Sequence, residues 1–114
     1  MNTAARNFCH CLTAAVLAGC TLPPRGARHA GNPDPGVKIP AIRKVVDQHD
    51  ARALPVLVND LASDDPAVRF YAIEALQRLT GGDAKGYVYY APDEDRAPAT
   101  ERWKAWLAER SAGG

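Results

Sequence analysis

The stretch Ala53-Leu54-Pro55-Val56-Leu57-Val58-Asn59-Asp60-Leu61-Ala62-Ser63-Asp64-Asp65-Pro66-Ala67-Val68-Arg69 holds a helix, a stop and a second helix start. Leu54, Leu57, Val58 and Leu61 fall at i, i+3, i+4 and i+7, the apolar stripe of a helix running from about Ala51 to Ala62. Pro55 lies near the first turn, where a missing N–H matters least. Ser63-Asp64-Asp65-Pro66 ends that helix and begins another, with an Asp as cap and Pro66 in the first helical position. Val68, Ala72, Ala75, Leu76 and Leu79 continue the helical period, and Gly81-Gly82 ends it, since Gly takes a left-handed cap. Ala72 and Ala75 are small residues on the inner stripe, which lets a neighbouring helix approach closely. Arg69 follows Asp65 by four residues, a spacing suited to an ion pair at the helix start.

Working towards the N-terminus, Ile39, Ile42, Val45, Val46 and His49 share one helical face, so a helix is expected over 39–49 with Pro40 in its first turn. Asp50 is placed to cap the helix that follows. The Pro in the 51–62 helix, the Asp-Pro turn, Val68-Arg69 at the next helix start and the small residues on its inner face together resemble a HEAT repeat of the phycobilisome-lyase type. The resemblance covers residues 51–81. It implies an all-α fold, a short HEAT-like superhelix fragment of about four helices, with helix 39–49 as the second helix of a preceding half-repeat. Such arrays need about three repeats to bury a continuous core, and this chain offers one full repeat plus fragments. The exposed end of the stack therefore needs a cover.

The C-terminal segment supplies a candidate. Residues 83–98 read as an ordered loop laid over the helices. Tyr87, Val88, Tyr89 and Tyr90 favour extended chain but have no partner strand in sight. A last helix is expected from about Pro98 to Arg110, with Ala99, Trp103, Trp106, Leu107 and Arg110 on one face. Leu79-Thr80-Gly81, Gly86-Tyr87 and the Trp103–Trp106 spacing resemble the ending of small exported HEAT-like proteins, in which a Trp-bearing helix closes the array. Core packing is the preferred reading of the two Trp residues, against a sugar or peptide platform. For Tyr87, Tyr89 and Tyr90 core and surface are equally open. Phe70 and Tyr71 lie off the main stripe of their helix, where they meet either the tail or a partner. These five residues, Phe70, Tyr71, Tyr87, Tyr89 and Tyr90, form the candidate partner surface.

The first twenty residues read as an address. Arg6 and the amino terminus precede an uncharged, mostly apolar run from Asn7, followed by small residues, the layout of a secretory signal peptide. The run is too short and too polar for a membrane span of about 20 apolar residues. Leu17-Ala18-Gly19-Cys20 resembles a bacterial lipobox. That resemblance implies cleavage between Gly19 and Cys20 and lipidation of Cys20, hence an exported, membrane-anchored lipoprotein. Thr21 in place of Asp leans towards the outer membrane or the periplasmic face. The expected organisation is a signal peptide at 1–19, a lipidated Cys and Pro/Gly-rich linker at 20–36, and a helical domain at 37–114.

All three Cys lie at positions 9, 11 and 20, so the helical domain has no thiol for a disulfide or a metal. Cys9-His10-Cys11 is too closely spaced for a usual zinc pair. His29 sits in the linker without partners. In the helical region His49 is the lone His, and Asp47 and Asp50 do not share its face. Asp93-Glu94-Asp95 lacks the alternation, central Gly and terminal Glu of a calcium loop. No Gly-rich phosphate loop, Gly-x-Ser-x-Gly elbow or Cys-x-x-Cys pair occurs, so no catalytic, cofactor-binding or metal-binding residue is expected. Lys+Arg 14 against Asp+Glu 13 gives a net charge of +1, without the basic excess of a nucleic-acid binder. The expected function is non-catalytic, a membrane-anchored module that binds a protein partner. An accessory subunit or small enzyme of the envelope, and a purely structural envelope component, are the alternatives.

Overall fold

The computed structural model describes residues 29–113. Among the described residues the elements in order are the α-helices α1 (Pro35–Asp47), α2 (Leu54–Asp60), α3 (Pro66–Thr80) and α4 (Asp93–Gly113), with a short 3-10 turn at Ala51–Ala53 leading into α2. No strand occurs among the described residues, and the class is all-α. The leader, Gly19, Cys20 and the linker up to residue 28 lie outside the described residues.

The α2–α3 hairpin follows its local signals closely. The Asp50 side chain accepts from the Arg52 N–H, which opens the 3-10 turn. Asp65 accepts from the N–H groups of Ala67 and Val68, and Pro66 stands in the first turn of α3. Gly81 ends α3 at φ 109°, in the left-handed region where a side chain is disfavoured. Leu54, Leu57, Val58 and Leu61 are all buried in one apolar cluster with Ala72, Ile73, Ala75 and Leu76 of α3, and Val68 is buried as well. Leu79, expected on the same stripe, packs half-buried at its edge.

Several boundaries differ from the sequence reading: α2 proper is Leu54–Asp60, shorter than the expected 51–62 because Ala51–Ala53 form a 3-10 turn, and α4 runs on to Gly113 rather than ending at Arg110. Helix α1 begins at Pro35, two residues inside the expected linker, because Asp34 caps it by accepting from the Gly36 N–H. Pro40 is consequently inside α1. The buried face of α1 is Lys38, Ala41, Ile42 and Val45, one position round from the expected stripe. His49 is not on that face: α1 has ended at Asp47, and His49 is exposed at φ 50° in the turn beyond. Helix α4 starts at Asp93, five residues before the expected first position, so Pro98 stands within it. Asp93, Glu94 and Asp95 fill its first turn, where negative charge suits the exposed N–H groups and the helix dipole.

The helices pack in a definite order. Helix α1 lies along α3, α2 against α3, and α4 against α2. Lys38, in the first turn of α1, reaches Asp60 at the end of α2 (Nζ–Oδ1 2.5 Å). Asp60 precedes the turn into α3, so α1 and α3 begin at the same end and run in the same direction.

The segment 81–92 and helix α4 close the other side. Tyr87 is buried and its hydroxyl donates to the Leu61 carbonyl (2.6 Å). Trp103 is fully buried and its Nε1–H donates to the Ala84 carbonyl (3.0 Å). Trp106 is half-buried, edge-to-face with Trp103 at 5.4 Å. The Lys85 ammonium stands 5.0 Å from the Trp103 ring centre and 5.4 Å from that of Trp106. Core packing is therefore the role of Trp103, and the tail is the cover that the short stack needs. Gly86 sits at φ 82° with Arg102 across it, a position where an added Cβ would meet Arg102 Nη2 at 2.6 Å.

Candidate functional site

Arg69 was expected to pair with Asp65, but it does something else. It is buried; its Nε–H donates to the Tyr89 carbonyl (2.9 Å) and its Nη1–H to the Ser63 carbonyl (2.7 Å). Asp65 is already occupied by the N–H groups of its own helix start, which leaves Arg69 free to reach across. Arg96 acts from the opposite side, donating from Nε to the Ala91 carbonyl (2.8 Å) and pairing with Asp93. Two guanidinium groups thus fix the backbone on either side of Tyr90. Short-range sequence patterns contain no signal for the Arg69 bond, since Arg69 and Tyr89 are 20 residues apart.

This clasp sets the position of the aromatic residues. Phe70 meets Tyr71 edge-on at 5.2 Å between ring centres, and meets Tyr89 at 5.1 Å. Tyr89 meets Tyr90 edge-on at 5.1 Å. The order Tyr71–Phe70–Tyr89–Tyr90 is a continuous row that joins the second turn of α3 to the tail. Edge-to-face pairs of this kind are each worth about 0.5–1.5 kcal/mol beyond their buried area. Phe70, Tyr71 and Tyr89 are half-buried, whereas Tyr90 is 75% exposed. Four of the five residues expected at the partner surface are brought together in this row. Tyr87 is not among them. It belongs to the core at 4% exposure, where burial pushes its phenol pKa up, with Arg96 and Arg69 opposing that shift.

Beside the row runs an open groove of about 330 Å³ between α1 and α3. The buried Ile42 and Ala75 and the half-buried Val46 and Tyr71 are its apolar lining. Arg43 and Asp47 of α1 stand on one rim, Glu74 and Arg78 of α3 on the other. Glu74 and Arg78 pair along their own helix (3.1 Å). Sequence reading passed over these four charges because each looks like an ordinary solvated helix residue.

One ionic feature is buried. Asp60 is 3% exposed, its Oδ1 bound by Lys38 and its Oδ2 without a hydrogen-bond partner. Burial raises the Asp60 pKa, and the Lys38 ammonium opposes that rise only in part. Asp50 behaves the other way: the hydrogen bond from Arg52 holds its carboxyl below the usual value, against the opposing effect of burial.

Among the described residues no three or more His, Cys, Asp or Glu side chains come together as a metal site would require. No helix among them is long and apolar enough to cross a membrane. Gly19 and Cys20, the expected cleavage and lipidation positions, lie outside the described residues. Comparison of the chain with protein-family models, with curated proteins and with solved structures gave no match.

Proposed function

We propose that this chain is an exported lipoprotein whose HEAT-like helical domain binds a protein partner without catalysing a reaction. The observation that carries the partner-binding reading is the row Tyr71–Phe70–Tyr89–Tyr90, held in place by Arg69 and ending in an exposed ring. Exposed aromatic rings with rigid support are the usual material of protein contacts, because they offer large area at low conformational cost. The lipobox-like Leu17-Ala18-Gly19-Cys20 supports the anchor, and the Pro/Gly-rich stretch after it supports a spacer between membrane and domain. Two or more acyl chains make such an anchor stable, at about 0.8 kcal/mol per buried CH₂.

The test has two arms. Mass spectrometry of the native amino terminus should find a chain beginning at an acylated Cys20, and an intact Met1 chain would refute the anchor. A photo-crosslinking residue in place of Tyr90 should yield one reproducible protein adduct in cells. That adduct should disappear when Phe70→Ala removes the ring that supports Tyr89. A scatter of adducts unaffected by Phe70→Ala would refute the binding surface.

A further inference from the structure

The groove between α1 and α3 carries a charge pattern that the aromatic row does not explain. Along α1 the rim reads Arg43 then Asp47, positive then negative, one helical turn apart. Along α3, which runs in the same direction, it reads Glu74 then Arg78, negative then positive. Opposite charges therefore face each other across the groove, yet no ion pair spans it among the described residues, because the open groove lies between them.

We infer that this face is a site for a second copy of the chain, docked groove to groove about a two-fold axis. A pattern with plus and minus on one rim and minus and plus on the other is complementary to itself. With the axis along the groove, each Arg43 lies over the mate's Glu74, and each Asp47 over the mate's Arg78. With the axis across the groove, each Arg43 lies over the mate's Asp47, and each Glu74 over the mate's Arg78. Every charge on the four corners meets its opposite in both arrangements, the isologous condition a two-fold interface requires. The crosswise axis sets the helices antiparallel, the orientation that helix dipoles favour.

Val46 and Tyr71, both half-buried, supply apolar area at the centre, with the charges outside it, the usual layout of core and rim. Helix α1 is 13 residues, or about 20 Å. Two helices with axes about 8–10 Å apart present a face about 20 Å wide including side chains. The resulting footprint, about 400 Å² per copy, is about half that of a standard stable interface. The dimer is accordingly weak and reversible, and charge matching selects the partner more than it adds affinity. The dimer face does not depend on the anchor, and it shares Tyr71 with the aromatic row.

Sedimentation equilibrium of the full chain, in density-matched nonionic detergent, tests it. The wild type should show a monomer–dimer equilibrium whose dissociation constant rises with added salt. Arg43→Glu should weaken the dimer by about tenfold or more, since it places like charges over one another in either arrangement. The side chain is exposed, so the fold should be unchanged by far-UV circular dichroism. Adding Asp47→Arg to Arg43→Glu should restore association if the axis lies across the groove. Adding Glu74→Arg instead should restore it if the axis lies along the groove. A wild type that remains monomeric at millimolar concentration overturns the inference. So does an Arg43→Glu chain that associates like the wild type, or one that neither second substitution rescues.

Discussion

The α2–α3 hairpin is covered on its two sides by different chemistry. On the α1 side the link to α2 is a buried ion pair, Lys38 with Asp60, and one carboxylate oxygen is left without a partner. On the tail side no ion pair joins tail and hairpin among the described residues: Tyr87 donates to the Leu61 carbonyl from an otherwise apolar ring, the Arg69 guanidinium donates to the Tyr89 carbonyl, and the buried Trp103, tied within the tail to the Ala84 carbonyl, adds apolar contact. Removing charge from water costs more than a single ion pair returns unless the remaining lone pairs are satisfied. A ring with one polar atom buries a large apolar area and asks for one acceptor. The tail side should therefore supply stability, and the α1 side should supply a defined register for α1 at little net gain.

The largest effect should come from Trp103→Ala. It opens a cavity at a fully buried position and leaves the Ala84 carbonyl without its donor, at about 3–5 kcal/mol by denaturant titration. Lys38→Met should rank next, at about 3 kcal/mol at pH 8, because it leaves the Asp60 charge buried and unpaired. Replacing both partners, Lys38→Met with Asp60→Leu, should recover that loss or exceed it. If the double variant is as unstable as the single one, the ion pair contributes net stability and the contrast between the two sides is wrong. Tyr87→Phe should cost about 1–2 kcal/mol, the loss of one buried hydrogen bond with its acceptor left behind.

The smallest effect is a pH dependence, and its sign separates two buried carboxylates. Folding raises the pKa of Asp60, so the folded state takes up a proton there more readily than the unfolded chain. Its ionised form costs stability at neutral pH, and that cost is relieved as pH falls through the raised value towards the ordinary carboxylate value. Asp60→Asn should remove this slope. Folding lowers the pKa of Asp50, so its contribution is present above the ordinary value and lost as pH falls through the lowered one. Asp50→Asn should thus be increasingly harmless on acidification. Stability curves of both variants against pH should diverge from wild type in these opposite directions.

Much of this fold was legible in the sequence, and the legible part is local. Asp50, Asp65, Pro66 and Gly81 act within four residues of themselves, so the α2–α3 hairpin could be placed from spacing alone. The α1 stripe was misplaced by one position because burial of Lys38 depends on Asp60, 22 residues away. The start of α4 was missed because Pro98 looked like a first-turn residue. Its missing hydrogen bond would go to the carbonyl of Glu94, and both residues are exposed, so the loss is tolerated, while the acidic turn before it favours helix. The candidate surface was half legible. Off-stripe Phe70 and Tyr71 and the tyrosine run marked it, but Arg69 decides which tyrosine is buried and which is displayed. The charged groove gave no local signal, since its pattern exists only once α1 and α3 lie side by side.

The C-terminal tail is an integral part of the helical fold. Both Trp residues of the chain lie on α4, so their fluorescence reports tail docking, whereas far-UV circular dichroism reports all four helices. Urea unfolding of the full chain followed by both signals should give one coincident transition with the same midpoint and slope. A fluorescence transition complete at lower urea, with helicity retained, would show that the stack stands without its cover and would contradict the account.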